Sequence, residues 1–258
     1  MKIMTFNIQH GVVFGDPEKR IDLAAFADFI NAEKPDIVGL NEVRCSSEGE
    51  PDPEDINEYN APQAKILASL TGMNYCFAPA IESLNGLYGN ALLTRFKIGE
   101  SEIFPIPSPQ ENMRIFSRYE DRCLLKSTVS VDGEDITVFV CHMGLNPQER
   151  LSAVETVCRE LDRTEGKKIL MGDFNMSPEN ELLPPIYERL ADTAVKVKGN
   201  LLTFPSDAPK VKIDYIFVSK NFEIISAAIS DKYVSDHRIH IAEIKCLTSH
   251  KRPFYYKQ

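Results

Sequence analysis

Asp36-Ile37-Val38-Gly39-Leu40-Asn41-Glu42-Val43 is the stretch from which the fold can be read. Ile37 through Leu40 are all apolar, and two polar residues follow at once. A strand with one face in water alternates apolar and polar side chains. A strand covered on both faces reads instead as an unbroken apolar run. Upstream, Ile21–Ala32 carries Leu23, Phe26, Ala27 and Ile30 at helical spacing. A helix followed by a doubly covered strand belongs to an α/β layer structure. Polar residues at such a strand's C-terminal edge stand where these sheets build clefts.

The same reading extends outward. Strand-like runs are Lys2–Asn7, Ile37–Asn41, Tyr75–Pro79, Ala91–Thr94, Leu124–Val131, Ile136–Cys141, Lys168–Met171, Ile213–Val218, Phe222–Ile229 and Ile239–Lys245. Pro62–Leu70 and Pro147–Leu161 read as further helices, and Ser177-Pro178 as a helix start with Pro at its first position. Val131-Asp132-Gly133-Glu134 reads as a tight hairpin turn, because Asp-Gly tolerates positive φ. Strands alternate with helices early and follow one another later. That order predicts an α/β fold of two mixed β-sheets packed face to face with helices outside. Ser46–Tyr59, acidic and holding two prolines, reads as a long loop at a cleft rim or an insertion.

The chain has 258 residues, 43% hydrophobic and 26% charged, which suits one large core. Lys plus Arg number 29 and Asp plus Glu 38, for a formal charge of −9. A protein built to lie on nucleic acid usually shows a basic footprint, so this balance favours small or soluble partners. Lys196, Lys198, Lys210 and Lys212 form one local basic stretch, read as a solvated face. The six cysteines (Cys45, Cys76, Cys123, Cys141, Cys158, Cys246) are scattered without a CxxC pair, and Met1 leads straight into a strand. Reduced thiols and a cytoplasmic address are expected. No apolar run approaches ~18 residues, so no transmembrane helix is expected. The basic, aromatic tail, residues 248–258, is set apart from a domain spanning 1–247 and read as a frayed end or, less commonly, a segment that binds a partner or membrane surface.

Several polar residues end strands. Asn7 and Glu42 close the first two; Glu42 suits a hard cation with Asn7 supporting it, or both are surface and turn residues. Asn90, after Gly89, would hydrogen-bond a phosphate or a catalytic histidine, or cap a glycine bulge. Cys141 and His142 point to opposite faces as strand neighbours, so they make no nucleophile pair. Cys141 reads as core, and His142 as a phosphate ligand or a structural residue. Asp173 and Asn175 follow the apolar Ile169-Leu170-Met171. Asp173 would orient or deprotonate a water and Asn175 donate to a transition-state oxygen, the alternative being a local Asx turn. Asp214 sits inside Val211-Lys212-Ile213-Asp214-Tyr215-Ile216-Phe217, where a carboxylate is costly to bury unpaired. His237 is its natural partner, which would fix the ring's tautomer and favour its charged form. Lys212 is the alternative. Asp236 would point away from His237, toward a metal.

In this order the motifs resemble the endonuclease/exonuclease/phosphatase superfamily of divalent-metal phosphoesterases. They are Thr5-Phe6-Asn7-Ile8, Asn41-Glu42-Val43, Tyr88-Gly89-Asn90-Ala91, Cys141-His142, Gly172-Asp173-Phe174-Asn175, Ile213-Asp214-Tyr215 and Ser235-Asp236-His237. The resemblance implies a four-layered α/β sandwich. It implies Glu42 as principal Mg²⁺ ligand (Mn²⁺ as substitute), with Asn7 and Asp236 near the metal. It also implies Asp173 and Asn175 acting on water and transition state, an Asp214–His237 dyad, and His142 on the phosphate. Arg122 matches a frequent arginine of the superfamily and would bind substrate with Asn90. Gln9 stands where abasic-site endonucleases have Asp, and the Trp-Cys-Asp-Arg pattern of inositol-polyphosphate phosphatases is absent. Leu202-Thr203-Phe204-Pro205 is similar to a bacterial subgroup of small metal-dependent hydrolases. The expectation is a Mg²⁺-dependent phosphodiesterase or phosphatase acting on a phosphorylated substrate. The alternatives are a metal-dependent nuclease and a non-catalytic binding module on the same fold.

Overall fold

The computed structural model describes residues 1–46, 60–83, 86–109, 111, 114–115 and 119–247. The expected loop at Ser46–Tyr59, save Ser46, and the tail 248–258 lie outside the described residues. The strands are β1 (Lys2–Asn7), β2 (Ile37–Cys45), β3 (Asn74–Ser83), β4 (Gly86–Thr94), β5 (Lys97–Ile106), β6 (Arg122–Val131), β7 (Glu134–His142), β8 (Lys167–Asp173), β9 (Ala191–Asp192), β10 (Asp214–Val218), β11 (Phe222–Ile229) and β12 (His240–Cys246). The helices are α1 (Leu23–Glu33), α2 (Gln63–Thr71), α3 (Pro147–Arg163) and the short α4 (Pro184–Tyr187).

Two six-stranded sheets form, ordered β11-β12-β1-β2-β4-β3 and β5-β6-β7-β8-β10-β9. Each is mixed and holds one parallel pair at its centre, β1 with β2 and β7 with β8. A parallel pair needs a crossover connection; α1 and α3 supply the two. Asp22 caps α1 by accepting from Ala25 N at 3.0 Å. A reciprocal Asn146–Glu149 capping box starts α3, with Pro147 in its first turn. The Val131–Glu134 turn forms as expected, with φ of 52° at Asp132 and 81° at Gly133.

The apolar runs alternate between cores even where the sequence shows no polar break. In β1, Ile3 faces the core between the sheets, while Met4 and Phe6 face α1. In β10, Ile216 and Val218 face the inter-sheet core, while Tyr215 and Phe217 pack toward α3 and α4. Helices, sheet, sheet and helices thus make four layers. Burying a Phe6-sized side chain stabilises the fold by roughly 1.5–3 kcal/mol, and Phe6 is fully buried. Gly39 keeps the sheets close: a Cβ there would lie 2.6 Å from the Met171 side chain.

Two expectations are corrected. Ser177-Pro178 starts a turn rather than a helix, and the helical turn comes later, at Pro184–Tyr187. Strand β5 was not anticipated. It lies at a sheet edge with mostly exposed residues, so it carries no apolar alternation.

Candidate active site

The parallel pairs bring their C-terminal ends to one place. Asn7 ends β1, while His142 ends β7 level with Asp173 at the end of β8. Asp214 starts β10 directly opposite Asp173. Gly172, at φ 144°, permits this crowding, because a Cβ there would lie 1.8 Å from Cys141 O. The β2–β4 register shifts between Leu40 and Val43, and Glu42 adopts φ 60°. This bulge turns Glu42 into the same cleft. His237 and Asp236 enter from the segment before β12.

The cleft has a volume of about 440 Å³. Its floor is formed by Glu42, Arg122, His142, Asp173, Asn175, Asp236 and His237. Its walls are His10, Ile81, Tyr88, Glu120, Leu145 and Phe204. Asn7 reaches the floor from beneath. Its amide nitrogen donates to Glu42 Oε1 and to Asp173 Oδ2, each at 3.1 Å, and its Oδ1 accepts from Gln9 N. Asn175, at φ 51°, donates its backbone N–H to Asp173 Oδ1 at 2.9 Å and its side-chain amide to Met143 O at 3.0 Å. Asp173 and Asn175 thus form the expected Asx turn, and both line the cleft.

The Asp214–His237 pairing forms, with His237 Nδ1 3.0 Å from Asp214 Oδ2 and Nε2 3.7 Å from Asp173 Oδ2. Burial alone would push the ring's pKa down. The Asp214 and Asp173 carboxylates outweigh it and carry the pKa up to about 10. Burial raises the Asp173 carboxyl to about 7, against the pull of His237 and with the help of Asp214. His142 is the opposite case. Burial, then the positive charges of Arg122 and His237, hold it well below its ordinary value. Donors also approach both its ring nitrogens, Arg122 Nη1 at 3.3 Å and Asn175 Nδ2 at 3.2 Å. An imidazolium has no acceptor to offer either donor; a neutral ring accepts from one of them and keeps an N–H to donate at its other nitrogen.

Lys212 does not pair with Asp214. It is 2% exposed, 3.1 Å from Asp192 and set over the Tyr215 ring. The lysine stretch is therefore not one solvated face. Asn90 is not brought to the cleft surface either. It is 1% exposed, accepts from Asn41 Nδ2 at 2.8 Å and donates to Cys123 O at 3.0 Å, bridging the two sheets. Asn41 completes that bridge through its Oδ1, which accepts from Asp173 N at 2.9 Å. Gly89 does allow the expected close approach, since a Cβ there would lie 2.0 Å from Ala78 O. The sequence reading gave no role to His10, Tyr88, Glu120, Phe204 or Asn41. The signal for Asn41 was its place beside Glu42 at the end of a buried run.

Two acidic sets could hold a cation. Asp173, Asp214 and His237 offer ligand atoms within 4.8 Å of one another. There the imidazolium already sits between the carboxylates, so an ion would have to displace a proton. Glu42 and Asp236, which both line the cleft, are the second set. Burial raises the Asp236 carboxyl, His237 pulls it back, and the Glu42 charge raises it again. Two carboxylates that repel each other beside a cleft, steadied by an amide, suit a hard divalent cation.

A sequence model described as the Endonuclease/Exonuclease/phosphatase family matches residues 4–237. No curated protein matches the sequence. Among solved structures, an endonuclease/exonuclease/phosphatase family protein from Leptotrichia buccalis is 25% identical. It covers 95% of this chain and 99% of its own, with a TM-score of 0.73. An endonuclease/exonuclease/phosphatase from Beutenbergia cavernae is 23% identical over 95% of this chain and 71% of its own, with a TM-score of 0.72. A mannosyl-6-phosphatase from Bacteroides thetaiotaomicron is 17% identical over 95% and 99%, with a TM-score of 0.75. The match runs from the first strand to the cleft histidine and takes in both sheets. Together with the shared four-layer architecture, it makes this chain a member of the endonuclease/exonuclease/phosphatase family.

Proposed function

We propose that the protein is a Mg²⁺-dependent phosphoester hydrolase, with Mn²⁺ as an alternative ion, acting on a small or soluble phosphorylated substrate. Glu42 is the principal ligand, Asp236 the second, and Asn7 fixes Glu42 from below. When bound, the ion supplies charge stabilisation to the phosphoryl group. The chain's own residues do the rest. Asp173 orients a water and accepts its proton. The observation that carries this reading is the Asp173 carboxylate at the cleft floor, held by Asn7 and flanked by His142 Nε2 at 3.5 Å and His237 Nε2 at 3.7 Å. His237, kept charged by Asp214, is a hydrogen-bond donor to the phosphoryl oxygens rather than a base. Asn175 steadies Asp173 through its backbone N–H, and the side-chain N–H that faces His142 Nε2 turns to the same oxygens when substrate binds. His142, as a neutral ring, and Arg122 bind the phosphate from the other side. Asn90 acts through the floor it braces.

Glu42→Ala tests the reading. We expect Mg²⁺ binding by isothermal titration to weaken at least tenfold and turnover of p-nitrophenyl phosphoesters to vanish. Full biological activity in that variant would favour a non-catalytic binding module. A nuclease remains the second enzymatic reading. It predicts rates on DNA that fall steeply with salt, and flat salt dependence would remove it. We place the protein in the cytoplasm, where its six scattered cysteines would stay reduced.

A further inference from the structure

We propose that Glu120 restricts this site to phosphoesters with a single phosphate on an uncharged skeleton, an inference that rests on the hydrolase reading above. Glu120 Oε2 lies 2.8 Å from Arg122 Nη2, with the acid 54% exposed and the arginine 6%. Its backbone N–H donates to Glu149 Oε1 at 2.7 Å, and Glu149 belongs to the capping box of α3. The carboxylate is therefore anchored at the exposed end of the cleft.

Among the described residues Arg122 is the one arginine or lysine that lines the cleft, and it already faces Glu120. The His237 ring faces Asp214 and Asp173. Arg150, which is not part of the cleft lining, donates to Gly144 O at 3.2 Å. One phosphate meets the cation site and the donors of the floor. A second phosphate on the same molecule meets the Glu120 carboxylate, and like charges there repel. Of the other wall residues, His10 lies 3.7 Å from Glu42, while Ile81, Tyr88, Leu145 and Phe204 carry no charge, and Leu145 is 67% exposed. Apolar and aromatic walls of this kind suit the carbon face of a sugar or an aryl ring. A nucleic-acid strand, which needs a row of cations, is served poorly.

The test is competition. Glucose 6-phosphate and glucose 1,6-bisphosphate would be compared as competitors of p-nitrophenyl ester turnover, with excess Mg²⁺ and the full chain. Wild type should bind the monophosphate roughly tenfold more tightly. Glu120→Gln should narrow that ratio and Glu120→Lys should remove it. Equal competition, no competition by either sugar, or a preference that survives Glu120→Lys would overturn the inference and leave the hydrolase reading standing. Absence of any p-nitrophenyl ester turnover would overturn both.

Discussion

Two buried ion pairs lie two residues apart in the chain and behave oppositely. Asp214 meets His237 in the cleft; Lys212 meets Asp192 against the Tyr215 ring. Both cations lose water on folding. At His237, two carboxylates outweigh that loss and the pKa rises to about 10. At Lys212 burial wins over Asp192, and the pKa falls to about 8. Burial and then the Lys212 ammonium depress the neighbouring His240 to about 3. Within 4.0 Å His237 has two carboxylates and Lys212 one. The first pair lines the cleft, where its charge can act on a substrate, whereas the second is packed in the interior, where burying an ion pair adds little stability.

The largest effect should come from breaking the first pair. Asp214→Asn removes the charge that keeps His237 protonated, and kcat/KM should fall by about 10³ while thermal unfolding stays cooperative. A loss below tenfold would mean that the two pairs differ less than described. Breaking the second pair should cost stability instead. Lys212→Met leaves Asp192 without its cation and should lower unfolding free energy in urea by about 3 kcal/mol, with kcat/KM of the folded protein kept within a few fold. A large activity loss at full stability would place Lys212 in the cleft machinery.

The two pairs also carry opposite pH signatures. The unfolded lysine holds a proton that the folded one has lost between pH of about 8 and 10.5. Wild type should therefore gain stability relative to Lys212→Met as pH rises through that window. His237 runs the other way. Its contribution is complete below about pH 6.5 and is lost as pH rises through about 10. The smallest effect is spectroscopic. In metal-free protein, NMR of the ring protons should show His237 charged at pH 8 and His142 and His240 neutral at pH 6. Asp214→Asn should lower the His237 midpoint by about 1–3 pH units. A neutral His237 at pH 8 in the wild type would erase the contrast.

Much of this was legible in the sequence because the physics is local. Strands β2, β8 and β10 announce themselves as unbroken apolar runs, and a carboxylate placed in one of them demands a partner. That logic found Asp214 with His237. It could not choose against Asn90 at the surface, since a bulge at Leu40–Val43 and another at Pro79–Ile81 set which way the neighbouring polar residues face. Edge strand β5 was missed because it is exposed. His10 was missed because successive left-handed φ values at Gln9, His10 and Gly11 aim its ring, and composition does not reveal them. Glu120 lies in irregular chain before β6, with no period to mark it.

The most direct test of the central claim is hydrolysis of bis-p-nitrophenyl phosphate and p-nitrophenyl phosphate with Mg²⁺, Mn²⁺ or EDTA, for wild type and Asp173→Ala. Turnover of at least one ester should need the ion and fall at least a hundredfold in the variant. The preferred ester would separate diesterase from monoesterase. Turnover that survives EDTA, or an Asp173→Ala protein as active as wild type, would contradict that claim.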